Sequence, residues 1–360
     1  MNSGMDWSEC RRHFEAWWNL QQADRPTVAF WAPRDKPLPG PAAPPDPEAA
    51  ERRYLDAAYI SARAECFLRE NRLFGDAFPH VDVDLGPGSM ALYLGSEPGF
   101  SRETVWFHPL PDLLTDPESV DLPRFDPDNR WWRTHLELIR RAVDFAEGRW
   151  LVTVPDLVEN IDILAALRGA QNLLVDLYDR PQWVRAWLRR LDDLYFEYFD
   201  RIYDMVKGAD GSNAYTAFWV WAPGRMAKIQ CDFSAMIGPD MFAEFVLPGL
   251  VNQCSRLDYA VYHLDGPEAL CHVPHLCSIP GLNAIQWTPG AGNPGTGDPC
   301  WFDMYHQVLD AGKGLLLMGP QEPQARQVAR EFGTRGIYMF FNPLGSESEG
   351  EDLMRRIYDW

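Results

Sequence analysis

His263 and Asp265 stand at the end of the run Tyr259-Ala-Val-Tyr-His-Leu-Asp-Gly-Pro267, a β-branched and aromatic stretch closed by a Gly-Pro breaker. Alternate side chains of a strand share a face, so Tyr259, Val261, His263 and Asp265 project together, with imidazole and carboxylate as neighbours at the strand end. Such a pair moves a proton or shares a metal ion, and a strand that delivers it to its carboxyl end before turning is how a barrel enzyme presents chemistry. The competing use is structural, a core histidine beside a turn-forming Asp-Gly. Cys231 and Asp232 close another short extended segment just ahead of the helix-opening Gly238-Pro239. Thiolate, imidazole and carboxylate make a mixed metal site of His263, Asp265 and Cys231, whereas a lone thiol also serves as a small buried hydrophobe. The denser run Cys271-His-Val-Pro-His-Leu-Cys277 lacks a matching second hook and falls in the helix after the strand, so it reads as outer-layer packing.

Further acids sit near strand ends: Asp82, Asp84, Asp156 and Glu159. Paired carboxylates across a pocket are what glycoside hydrolysis requires. The same residues also suit a solvated loop, for Asp82 and Asp84, or a helix cap, for Glu159 or Asp162. Fifteen tryptophans is a high count, and Trp31, Trp219, Trp221 and Trp287, with Tyr262 and Phe341, fall where strands should end. Aromatics there line the mouth of a barrel and hold a methylated ammonium or stack on a sugar, with Asp156 as a polar contact. Trp183 and Trp187, at helical spacing, read as packing. No strand–GxGxxG–helix context occurs, which argues against a dinucleotide site.

The elements that must carry these residues are short apolar β-rich runs alternating with helical periodicity: Thr27–Trp31, Val81–Leu85, Trp150–Val154, Tyr215–Val220, Tyr259–His263, Ala284–Trp287, Leu315–Met318 and Ile337–Phe341. Eight of them in one chain of 360 residues predict an α/β fold, a single (β/α)8 TIM barrel over 26–360 behind an N-terminal helical extension over 1–25. Helices are expected over Glu48–Asn71, after a Pro-rich loop, and over Pro181–Val206, which opens on proline. The net charge of −19 argues against nucleic acid and anionic membrane surfaces, since those partners need clustered Lys and Arg. With no leader-like start, no spanning apolar run and seven scattered cysteines, the expectation is a cytoplasmic protein with reduced thiols.

From Ile229 to Pro248 the chain resembles the uroporphyrinogen decarboxylase superfamily, in which an Asp, a small apolar run and a Ser-Pro or Gly-Pro step open a helix ending near a proline. Leu164-Ala-Ala-Leu-Arg-Gly169, Leu174-Val-Asp-Leu-Tyr-Asp-Arg-Pro181, His263-Leu-Asp-Gly266 and Gly312-Lys-Gly-Leu-Leu fall in the matching order, and the resemblance runs from about Pro26 to the C-terminus. It is closest to uncharacterised members associated with methylamines or corrinoids. It implies the barrel fold, and either decarboxylation or zinc-dependent methyl transfer with corrinoid proteins. Two departures bear on chemistry. The Arg-rich motif of the decarboxylases is Ala29-Phe-Trp-Ala-Pro-Arg-Asp-Lys36 here, and the methyltransferases' zinc-binding His-x-Cys is His263-Leu-Asp265, with Asn342 near their last cysteine.

The expected function is therefore methyl transfer from a small methylated substrate, assisted by a metal or by protonated His263, to a corrinoid on a partner protein. His263, Asp265 and Asp232 are the expected catalytic residues. Asp265 fixes the tautomer of His263 or shares zinc or another divalent metal with it and Cys231. The rivals are a decarboxylase, lyase or carbohydrate-active enzyme using Asp156, Asp232 and Asp265, and a non-catalytic small-molecule binding barrel. A homodimer is the assembly to look for.

Overall fold

A computed structural model of the chain describes residues 6–360. Its centre is a seven-stranded, mostly parallel sheet. Strands in chain order are β1 (Thr27–Pro33), β2 (Asn71–Gly75), β3 (His80–Val81), β4 (Glu97–Phe100), β5 (Val105–His108), β6 (Leu151–Val152), β7 (Asn213–Tyr215), β8 (Val220–Ala222), β9 (Met226–Gln230), β10 (Tyr259–Asp265), β11 (Ala284–Thr288), β12 (Gly314–Met318) and β13 (Ile337–Phe340). The large sheet runs β2-β1-β13-β12-β11-β10-β9, with β2 antiparallel at one edge. The remaining arc is made of fragments: β3 pairs with β6, Val154 N donates to Ala214 O beside β7 at 3.0 Å, and the Asn213 side chain bonds both backbone groups of Met226. The sheet is compatible with a TIM-like barrel, although among the described residues no closed ladder forms.

Register explains why this sheet makes a core with a polar lumen. Ile229, Tyr262, Ile285, Leu315 and Ile337 align across five strands, and Leu264, Trp287, Leu317 and Met339 across four. Those rows are buried against the surrounding helices. The alternate rows carry Gln230, His263, Gln286 and Leu316 and, one layer towards the carboxyl ends, Asp265 and Thr288. A strand two residues out of register would shift this row away from its partners, so pairing and chemistry are specified together.

Three expectations about elements are corrected. Tyr215–Val220 is not a strand: β7 and β8 form an antiparallel pair around the loop Thr216–Trp219, and the strand beside β10 is Met226–Gln230. The helix expected over Glu48–Asn71 is broken at Asp56, whose extended backbone and side chain cap a new helix, Ala57–Glu70, by accepting from the amides of Ala58 and Tyr59. Asn71 itself opens β2. The helix Pro181–Val206 has the expected bounds.

The helix Trp7–Trp18 covers the amino-terminal side of the sheet. Trp17 Nε1 donates to Leu315 O at 3.2 Å, and Trp18 Nε1 to Trp221 O at 2.8 Å. Beneath it Asp76, fully buried, accepts from Arg25 Nη1 at 2.7 Å, Arg25 Nη2 at 2.9 Å, His13 Nδ1 at 2.8 Å and Val28 N at 2.9 Å. Burial alone would raise the Asp76 carboxyl, but the Arg25 guanidinium and His13 hold it below its ordinary value.

A second buried acid behaves oppositely. Asp192, on the long helix, meets only Asn160 Nδ2, at 2.7 Å, and burial pushes its pKa to about 7. Asn160 Oδ1 is buried with no partner, and a Cβ on the facing Gly249 would stand 1.8 Å from Asn160 Nδ2, so the packing admits only glycine there. The folded state keeps the Asp192 proton that an unfolded chain releases above about pH 4. Ionisation therefore weakens the fold progressively between pH 4 and 7, with the full penalty above. Asp192→Asn should stabilise the protein at pH 8 by a few kcal/mol at most, at about 1.4 kcal/mol per pKa unit, and give Asn160 Oδ1 its missing donor. Thermal unfolding at pH 4 and pH 8 checks this; an equal gain at both would rule out the ionisation argument.

Candidate active site

The carboxyl ends of β9 and β10 bring together Asp232, His263 and Asp265, each offering a ligand atom within 4.8 Å of the others. The turn after β10 needs Gly266, at φ +79°, so the strand stops as soon as Asp265 is placed. His263 and Asp265 thus converge as the alternation predicts. The residue that orients the imidazole, however, is Gln286: its Oε1 pairs with His263 Nδ1, and its Nε2 donates to Thr288 Oγ1 at 2.8 Å. An amide oxygen accepts, so Nδ1 carries the proton and Nε2 is left for a substrate proton or a cation. This replaces the expected tautomer-fixing role of Asp265. Burial holds the Asp265 carboxyl above its ordinary value, opposed by His263 and reinforced by Asp232 and Glu268.

Cys231 does not belong to this group. Its side chain is buried beside Asp232, its sulfur is not among the ligand atoms that converge there, and burial, with the charge of Asp162, drives its thiol well above the usual range. The third member is its neighbour, Asp232. Two carboxylates and one imidazole, open on one side, fit zinc or a harder divalent metal and do not fit thiolate-rich zinc. The Cys271–Cys277 run gathers no such group: His272 Nε2 is spent on Ser234 O at 3.0 Å, and Cys271 is exposed.

A chain of polar side chains leads from this triad across the lumen. Gln230 Nε2 donates to Asp232 Oδ2 at 3.0 Å and Asp162 Oδ2 at 3.2 Å, and Lys228 Nζ bonds Gln230 Oε1 and pairs with Asp156 Oδ1 at 2.6 Å. Burial works against the Lys228 ammonium, but Asp156 and Glu159 more than offset it. Tyr215 Oη donates to Asp156 Oδ2 at 2.9 Å. Glu159 Oε1 accepts the Gln230 amide at 2.6 Å, while its Oε2 is buried without a partner and burial raises its pKa well above the ordinary range. Asp162 accepts the amides of Asp232 and Phe233 at 2.8 and 2.9 Å, and burial with the Asp232 charge pushes its pKa to about 6. Neither Glu159 nor Asp162 caps its own helix. Val158 and Asn160 flank Glu159 with φ of +51° and +55°, a strained backbone that a β-branched residue tolerates only where its surroundings impose it.

The aromatic residues divide. Trp31 and Trp219 pack at 4.9 Å and line a cleft of about 560 Å³ at the strand ends, together with His80, Asp82, Asp84 and Phe340. Trp221, Trp287 and Tyr262 do not line it. Trp221 packs under Trp7 and Phe14, Trp287 lies in the outward row against Trp301 at 5.1 Å, and Tyr262 is in the other outward row. Phe341 turns towards Phe30, leaving Phe340 as the mouth residue. Between triad and cleft runs the loop Thr216–Trp219. Phe218 packs on His263 at 5.6 Å, Trp219 adopts φ +47°, and the Tyr338 hydroxyl donates to the carbonyls of both.

No protein-family model matches the chain, and no curated protein matches its sequence. Among solved structures, a methyltransferase from Methanosarcina mazei superposes with a TM-score of 0.62 over 98% of this chain and 98% of that one, at 11% identity. The two share a fold. At that identity the likeness carries the architecture alone, so the chemistry rests on the residues described above. No described helix is long and apolar enough to cross a membrane.

Sequence reasoning missed Gln286, Lys228 and Gln230, and read Asp162 only as a helix cap. Polar residues with strand spacing in Lys228-Ile-Gln230 and Gln286-Trp-Thr288 were the available signal, since alternation of polar and apolar residues in a central strand marks a polar lumen.

Proposed function

We propose that this chain is a methyltransferase that takes a methyl group from a small methylated compound, with His263 as acid or metal ligand, and passes it to a corrinoid acceptor on a separate protein. The observation that supports this best is the convergence of Asp232, His263 and Asp265 within 4.8 Å, with the imidazole oriented by Gln286. The methyltransferase fold of the structural neighbour agrees with it. In the transfer, the bond between the methyl carbon and its heteroatom breaks with the electron pair remaining on the heteroatom, while the acceptor supplies the pair for the new bond. Positive charge near the departing heteroatom lowers the barrier. Asp232, His263 and Asp265 are the residues that would hold a divalent metal, which would supply Lewis acidity there. Without one, His263 donates the proton from Nε2 when charged, and Asp232 and Asp265 stabilise the imidazolium.

Elemental analysis of the purified protein, followed by incubation with cob(I)alamin and a panel of methylated amines and ethers, tests the reading. Formation of methylcobalamin that depends on the chain supports it. Decarboxylation of a carboxylated substrate, or hydrolysis of a glycoside, with no methyl transfer would replace it by the decarboxylase, lyase or carbohydrate reading.

A further inference from the structure

The cleft at the strand ends has a composition of its own. Its walls are Trp31, Phe67, Trp219 and Phe340, with Trp31 lying 5.7 Å from Phe67 and 5.8 Å from Phe340 and Trp219 5.5 Å from Phe340. Its floor carries Asp82 and Asp84. Asp82 accepts from Thr153 Oγ1 at 3.1 Å, whereas Asp84 Oδ1 is buried with no hydrogen-bond partner. Among the described residues no cationic side chain forms an ion pair with these carboxylates. Lys228 is committed to Asp156, Arg53 and Arg102 at the rim share Asp46, and Arg63 donates to Tyr59 Oη at 3.4 Å while lying over that ring. His80, against the Trp219 ring at 5.0 Å, gives its Nδ1 hydrogen to Phe78 O, and burial lowers its pKa to about 4, so it stays neutral.

We propose that this cleft is a binding site for a methylated ammonium compound, its methyl groups against the aromatic walls and its charge over Asp82 and Asp84. A bare metal ion would leave four aromatic walls without a role, and a neutral sugar would leave the Asp82 and Asp84 carboxylates without a counter-charge. A methylated cation uses both the rings and the acids, because ring faces attract cations and an unpaired buried carboxylate is costly. The inference rests on the cleft and not on the methyl-transfer reading; a chain that binds such a cation without transferring methyl groups refutes only the latter.

Burial raises both floor acids, Asp84 most; the Asp82 charge adds to it at Asp84 and the Asp156 charge at each, with Lys228 opposing at Asp84. Tyr215 is held as a phenol and His80 as neutral imidazole, so the acids themselves surrender a proton when a cation arrives. Calorimetric titration of the whole chain with choline and with its neutral isostere 3,3-dimethylbutanol tests the site. Choline should bind at least ten times more tightly than the isostere, more tightly as pH rises, with proton release seen as a dependence of the heat on buffer. Asp84→Asn, which keeps the size and shape of a half-buried side chain and should fold, is expected to lower choline affinity about tenfold or more, and Trp31→Leu likewise. Equal binding of choline and the isostere, no binding of either, or wild-type affinity in Asp84→Asn would overturn the proposal.

Discussion

Asp76→Ala is expected to remove about 3–5 kcal/mol of stability, the usual cost of stripping one partner from a buried ion pair. The carboxylate has no exposure, and four donors from Arg25, His13 and Val28 converge on it. Its loss leaves the Arg25 guanidinium, itself buried, without a counter-charge and unhooks the segment that carries the N-terminal helix. Natural domains have about 5–15 kcal/mol to lose, so the variant should unfold at much lower urea than the parent. Loss of less than about 1 kcal/mol would show that water or rearrangement satisfies Arg25 and that the cluster is not the anchor. The double variant Arg25→Met with Asp76→Leu should recover part of the loss, because an apolar pair of similar volume avoids the cost of desolvating charge.

His263→Ala carries the largest expected effect on activity. Removing a general acid or base lowers rates by about 10²–10⁴-fold, and removing the single imidazole from a two-carboxylate metal site should take its metal content to background. Gln286→Leu should fall between, with metal affinity or rate reduced about 10–100-fold, as for residues that orient a ligand without touching the reacting atoms. Methyl transfer to cob(I)alamin and metal content by mass spectrometry measure both. Wild-type rate and metal content in His263→Ala would transfer the chemistry to the carboxylates around Lys228.

The eight-run pattern was enough to place β1, β10, β11, β12 and β13, because each is a short apolar run whose neighbours cannot continue it. Tyr215–Val220 misled because its apolar residues look like one strand. A left-handed Trp219 and the Tyr338 hydroxyl fold that segment into a loop, and neither is visible without the third dimension. The pairing of His263 with Asp265 was legible for the same reason the strand was, a two-residue period. Asp232 was expected beside them as a catalytic residue, but its place as the third ligand atom instead of Cys231 was not legible, since adjacent residues at a strand exit face opposite ways and the exit angle is set by Asp162 on a distant helix. Of the tryptophans at expected strand ends, Trp31 and Trp219 do line a cleft, whereas Trp287 was misjudged by parity, being one residue from the inward-facing Gln286 and Thr288.

The incomplete ladder has a mechanical consequence. From β10 to β13 every strand is paired on both edges, whereas β3 and β6 are two residues each and join their neighbours by isolated bonds. Short ladders open without unfolding the rest, so amide hydrogens in the β3, β6 and β7 arc should exchange with solvent long before those of β10, β11 and β12. The stiff half of the sheet carries His263 and Gln286, and the compliant half carries Asp82, Asp84 and Asp156. One wall of the lumen keeps its geometry while the other yields, which lets a ligand enter between them without disturbing the imidazole.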